Sequence, residues 1–286
     1  MSDVTVLTDG LRFAEGPRWH AGKLWFSDMY DHAVKTVDLS GRVETKMEIP
    51  GRPSGIGWLP DGTLLVVSML DRQVLRLEMD RLVVHADLSN VATWHCNDMV
   101  LDEVGRAYVG NFGFDLHAAE RSGDFSTRAP AALAAVSPNG VVTVAADNLL
   151  FPNGTVITPD GATLVIAESM GRRLTAFDRR PSGELSNRRV WAELGDVAPD
   201  GICLDASGAI WVADASAARC LRVGEGGAIL EVIPTEHHCY ACMLGGAGGT
   251  TLFMLTAEVS HPDDCAAART GQILVTDVAV GHAGRP

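Results

Sequence analysis

Six segments of this chain of 286 residues can be laid under one another. They are AEGPRWHAGKLWFSD ending at Asp28, PSGIGWLPDGTLLVVS at Ser68, CNDMVLDEVGRAYVGN at Asn111, PNGTVITPDGATLVIAE at Glu168, PDGICLDASGAIWVAD at Asp214 and ACMLGGAGGTTLFMLT at Thr256. Each reads as a short strand, a glycine-bearing turn and an apolar strand, the pattern of a tight hairpin. A third, alternating strand follows, such as Gln73 to Glu78 or Leu174 to Asp178, and usually a fourth, such as Leu82 to His85. The starts of the first strands, at positions 15, 54, 97, 153, 200 and 242, are spaced by 39, 43, 56, 47 and 42 residues. That is the period of four-stranded propeller blades. The sixth repeat has only three strands, whereas Val4 to Leu7 is a strand with no repeat of its own, so pairing the two would close the ring. The sequence therefore predicts an all-β fold, one six-bladed β-propeller domain spanning residues 1–286.

Composition agrees and narrows the function. Hydrophobic residues make up 47% of the chain, enough for a sizeable core, and 30 glycines suit many short elements better than long helices. A net charge of −13 repels phosphate backbones and anionic membrane surfaces, which argues against nucleic acid and membrane as partners. No run approaches the roughly 18 apolar residues of a membrane span, and the first ten residues lack the pattern of a signal peptide. The expected compartment is cytoplasmic. Six cysteines are accordingly expected as thiols rather than disulfides.

In a propeller the innermost strands surround a central channel, so equivalent start positions converge on one face. Here they are Glu15, Ser54, Asn97, Asn153, Asp200 and Cys242. Two carboxylates brought together would repel unless one took up a proton or a cation lay between them. Carboxylate and amide oxygens are hard ligands suited to Ca²⁺, Mg²⁺ or Mn²⁺, with Zn²⁺ or Fe²⁺ admitted through availability; the competing reading is a wet channel of hydrogen-bonded waters. Two long connections, roughly 112–130 in repeat three and 258–270 in repeat six, fall on the same face and are expected to overhang it.

The segments Glu15-Gly-Pro, Asn97-Asp98, Pro152-Asn153-Gly154 and Pro199-Asp200-Gly201, at matching positions of four repeats, resemble the SMP-30/gluconolactonase/LRE family of six-bladed propellers over nearly the whole chain. The resemblance implies one divalent metal cation, Ca²⁺ ahead of the alternatives, held by Glu15, Asn153 and Asp200, with Asn97 in the substrate pocket. It also implies metal-dependent lactonase activity on a small-molecule lactone, with Asp200 as both ligand and general base. Two departures stand out. In the best-known sugar-lactone members an arginine precedes the pocket asparagine by two positions and a glutamate follows it by eighteen, whereas this chain has His95 and Asp115. Losing arginine's bidentate reach, beside Trp94, Phe112 and Phe114, points to a different or less polar substrate.

His95 is a candidate to orient substrate or shuttle a proton, or a packing residue, and Asp115 a candidate acceptor for a substrate hydroxyl, or a solvated loop acid. Glu168, beside Arg172 and Arg173, reads as an ion-paired rim residue. The segment His237-His-Cys-Tyr-Ala-Cys242 has the local composition of a zinc site but no second cysteine pair, so Tyr240 and Cys242 are expected to line the pocket. No nucleophile elbow, phosphate-binding loop or dinucleotide fingerprint is present in the sequence. The reading is hydrolysis of a sugar or other small hydroxy-acid lactone. Aryl ester or phosphotriester hydrolysis by the same metal, and a non-catalytic binding platform with a structural metal, stay open.

Overall fold

The computed structural model describes residues 3–284. It is a six-bladed β-propeller whose blades are four-stranded antiparallel sheets, with strands running in chain order from the axis outward. The innermost strands are Ala14–His20, Pro53–Trp58, Cys96–Leu101, Pro152–Ile157, Pro199–Leu204 and His238–Gly245. Each packs beside the next, and the last returns to the first. As the missing fourth strand required, blade six is completed from the other end of the chain: Thr5–Leu11 pairs antiparallel with Gly271–Asp277.

Burial explains why the strands differ in character across a blade. Second strands such as Leu64–Ser68 and Ile210–Asp214 are buried throughout, because neighbouring blades cover both of their faces, and they read as near-continuous apolar runs. Outermost strands such as Ile229–Pro234 are mostly exposed. Between blades, Leu24 and Phe26 of blade one, Trp211 of blade five and Phe253 of blade six share one apolar cluster. Each such side chain contributes about 1.5–3 kcal/mol on burial. The turns joining first and second strands place Gly62, Gly105, Gly161 and Gly208 at φ between 71° and 86°, where other residues are strained.

The two long connections each carry a short helix. Helix α1 (Leu116–Ser122) is capped by Asp115, whose Oδ1 accepts from the Ala118 amide at 3.0 Å. Helix α2 (Pro262–Ala268) starts with proline at its first turn and is capped by His261. Among the described residues no helix is long and apolar enough to cross a membrane. All six cysteines are free and buried.

Candidate functional site

A repeated irregularity builds the site. In every blade the pairing of the first and second strands slips near the axis: after Glu15, Pro53, Cys96, Pro152, Pro199 and Cys239. A bulge re-aims the side chain beside it. The equivalent residues are therefore Glu15, Ser54, Asn97, Asn153, Asp200 and, in blade six, Tyr240. This corrects the expectation for the sixth position by two residues. Cys242 lies past the slip and turns into the core, where its thiol meets Cys203 at 3.9 Å and donates to the carbonyls of Trp211 and Gly201; Tyr240 faces the cavity.

Glu15, Asn97, Asn153 and Asp200 line the floor of one cavity of about 340 Å³. Ser54 stays behind them and donates to Asn97 Oδ1 at 3.3 Å. Ser169 donates to the Pro199 carbonyl at 2.6 Å, so its oxygen accepts from Asn153 Nδ2 at 3.1 Å. The Asn153 amide also hydrogen-bonds Asp200, which commits its nitrogen and leaves Oδ1 as the atom suited to a cation. Glu15 Oε2 accepts from the Gly16 amide at 2.9 Å.

The electrostatics of this floor are unbalanced. Burial pushes the Glu15 carboxyl well above the usual carboxylate range, and the charges of Asp200 and Asp98 push it further. Burial raises Asp200 likewise, with Asp98 adding and the Asn153 hydrogen bond opposing. Against these three carboxylates stands one guanidinium: Arg18 Nη2 lies 3.1 Å from Asp98 Oδ1 and also donates to the Met99 carbonyl. One divalent cation among the three carboxylates would balance the remaining charge, and two carboxylates with an amide oxygen are the hard donors it prefers. The residues fit such an ion. Among the described residues no three His, Cys, Asp or Glu side chains cluster as a metal centre, so the fit depends on the asparagine oxygen.

His95 and Asp115 are not among the residues lining the cavity. The Asp115 carboxylate is engaged as the α1 cap, and the His95 ring packs between Trp94, at 5.1 Å, and Phe112, at 5.9 Å. Burial, helped by the neighbouring His117, lowers the His95 imidazole to about 4, so it is neutral at pH 7. The polar groups that α1 does bring to the cavity are His117 and Glu120, whose side chains lie 3.5 Å apart. Sequence reasoning missed them. The signal was Asp115 as a helix cap, which places positions 117 and 120 on one face. The second connection supplies Ser260 to the cavity, and the two connections meet through Arg121 and Asp263 at 2.9 Å and the His117 and His261 rings at 5.5 Å.

Glu168 is ion-paired as expected but buried rather than at a rim. It accepts from Arg173, Arg188, Thr175 and, at 2.7 Å, the Leu150 amide. The buried part of the apolar wall includes Phe13, Met29, Tyr30, Phe112, Phe151 and Tyr240.

Known proteins share this architecture. L-arabinolactonase of Azospirillum brasilense is 33% identical over 120 residues, 40% of this chain and 39% of that protein. Human regucalcin is 24% identical over 261 residues, 88% of this chain and 86% of that one. The chain spans 39% and 58% of the length of the first two curated relatives it matches. Among solved structures, a calcium-binding protein, regucalcin, from Agrobacterium tumefaciens superposes with a TM-score of 0.81 at 20% identity, covering 100% of this chain and 97% of that one. A gluconolactonase from Xanthomonas campestris gives 0.76 at 22% identity, covering 97% and 90%. At such identities the likeness carries the fold alone. Residues 13–258, however, match the family described as SMP-30/Gluconolactonase/LRE-like region, and that span contains every blade's innermost strand: the chain belongs to this family.

Proposed function

We propose that the protein is a lactonase that opens a small-molecule lactone on the floor of this cavity, with Glu15, Asn153 and Asp200 holding one divalent metal cation, Ca²⁺ ahead of Mn²⁺, Mg²⁺, Zn²⁺ or Fe²⁺. The observation that carries the reading is the meeting of two desolvated, mutually repelling carboxylates and an oriented amide, drawn from blades one, four and five, at the bottom of a cavity of ligand size. Such a cation, when bound, supplies Lewis-acid polarisation of a carbonyl and stabilises the charge that develops on its oxygen.

The chain's own groups do the rest. Asp200 accepts the proton of the attacking water and returns it to the ring oxygen as the C–O bond breaks. Ser169 holds the Asn153 amide in one orientation, and Ser54 does the same for Asn97, which faces the bound lactone from blade three. Walls of Phe13, Phe112 and Phe151 exclude bulk water and keep the ester over the floor. A carboxylate is a modest base, which restricts the reaction to reactive cyclic esters and disfavours amides.

The test is proton release from a lactone panel, by protein stripped with EDTA and then reloaded. Turnover should vanish on stripping, return on reloading, and fall about 10²–10⁴-fold in Asp200→Asn and Glu15→Gln. Activity that survives chelation and both substitutions removes the proposal. Metal binding with no turnover of any lactone favours the binding platform.

A further inference from the structure

We propose that the preferred ligand is a lactone bearing an alkyl or aryl substituent on its ring, and that polyhydroxylated lactones are disfavoured. This rests on the lactonase reading and narrows its substrate class.

Most polar groups of the cavity gather at its two ends, with His117 and Ser260 on the lining contributed by the two overhanging connections. Glu15, Asn97, Asn153 and Asp200 form the floor, and Glu120, Arg128 and Arg172 are exposed at the mouth. Between them the wall is mainly carbon, and His117 there already faces Glu120 at 3.5 Å. Phe13 packs against Tyr30 at 5.3 Å and Tyr240 at 4.7 Å, and Phe112 against Phe151 at 4.7 Å, two aromatic groups with Met29 beside the first. Both tyrosine hydroxyls are already engaged by Ser260: Tyr30 donates to its carbonyl at 2.9 Å, and Tyr240 hydrogen-bonds Ser260. Ser169 is occupied by Asn153 and Pro199. A sugar-type substituent would thus leave its water for a wall that returns few hydrogen bonds, at about tenfold in affinity for each hydroxyl left unpaired. An alkyl chain there gains about fourfold for each buried methylene.

The experiment is calorimetric titration of the Ca²⁺-loaded protein with non-hydrolysable lactams. The series is δ-valerolactam, its ring-substituted propyl, pentyl and phenyl derivatives, and the polyhydroxylated δ-lactam of gluconic acid. Affinity should climb about fourfold per methylene until the cavity is full, and the polyhydroxylated lactam should bind more weakly than unsubstituted valerolactam. Ala215→Phe, at the cavity lining, should shorten the longest chain that still gains affinity. A flat series, absence of alkyl-lactam binding, tighter binding of the polyhydroxylated lactam, or an unchanged chain-length limit in Ala215→Phe would overturn the inference. Binding is read without turnover, so the two readings fail separately. Alkyl-lactam preference without hydrolysis of any lactone sinks only the catalytic one. Hydrolysis with preference for the polyhydroxylated lactam sinks only this one.

Discussion

Three blades end their second strand in an acid, and they are the blades that supply Glu15, Asn153 and Asp200. Asp28 accepts from the Phe13 amide at 2.9 Å, Glu168 from Leu150 at 2.7 Å, and Asp214 from Ala198 at 3.1 Å. Each carboxylate thus ties down the chain as it enters a ligand-bearing strand, and each is ion-paired: Asp28 with Lys35, Glu168 with Arg173, Asp214 with Arg219. Burial pushes the Glu168 carboxyl upward, but the bonds from Arg173, Thr175 and Leu150 outweigh it and leave it below its usual 4.5. Glu168→Gln should cost about 3 kcal/mol in urea unfolding at pH 7, because it strands a buried network of donors. A depressed carboxyl stabilises the fold above its unfolded value and stops doing so as pH falls through its folded one. The gap between wild type and Glu168→Gln should therefore close below about pH 4.5; a gap constant down to pH 3 would contradict the ion-pair account. Ser169→Ala should weaken metal affinity about 10–100-fold in a Tb³⁺ luminescence titration while barely moving the melting temperature, since it frees the Asn153 amide to rotate. From sequence, Glu168 was legible as an ion pair through Arg173. Its burial was not, because it depends on the Leu150 amide, which only the fold brings to it.

At the scale of the strand, the site depends on glycine following the ligand. A Cβ at Gly154 would lie 2.5 Å from the Asp200 carbonyl and the Ile202 amide, and one at Gly16 would lie 2.8 Å from the Ser54 carbonyl. Neighbouring inner strands thus approach so closely at the axis that only a hydrogen fits, which is why Pro-Asn-Gly and Pro-Asp-Gly recur. Gly154→Ala should destabilise by about 1–3 kcal/mol, read by thermal unfolding, whereas Gly248→Ala, with its nearest neighbour 3.6 Å away, should be close to neutral. Equal melting temperatures for the two would refute the close-packing argument. The same glycines made four of the strand starts legible. Blade six has Ala241 at that place, so nothing in its sequence marked the bulge, and alignment by turn and apolar run slid from Tyr240 to Cys242. The overhanging connection of repeat three was legible from the 56-residue spacing, and that of repeat six from the length of chain between its strands. Their helices were not, since seven residues capped by Asp115 or His261 leave too short an apolar pattern to distinguish from loop.

The whole molecule is held as a ring by the strand Thr5–Leu11. The period of the repeats and the orphan strand at the start of the chain made this closure legible, because a propeller with a three-stranded last blade has an unfilled edge. Within that strand burial is uneven: Leu11 is 4% exposed and packs in the cluster shared by blades five, six and one, while Val6 is 52% exposed. Backbone pairing with Gly271–Asp277 supplies the rest of the closure, slipping twice, between Val6 and Thr8 and between Thr8 and Leu11. Two variants separate the contributions. Leu11→Ala removes a buried side chain and keeps the ladder, and should cost about 2–5 kcal/mol. Deleting residues 1–11 also exposes the Gly271–Asp277 edge, so the truncated chain should melt lower than Leu11→Ala and self-associate with rising concentration through that edge. Sedimentation and thermal unfolding of the two side by side decide it. A truncated chain that stays monomeric and melts with Leu11→Ala would mean that the ring is held by packing between blades, with the closing strand acting only through its leucine.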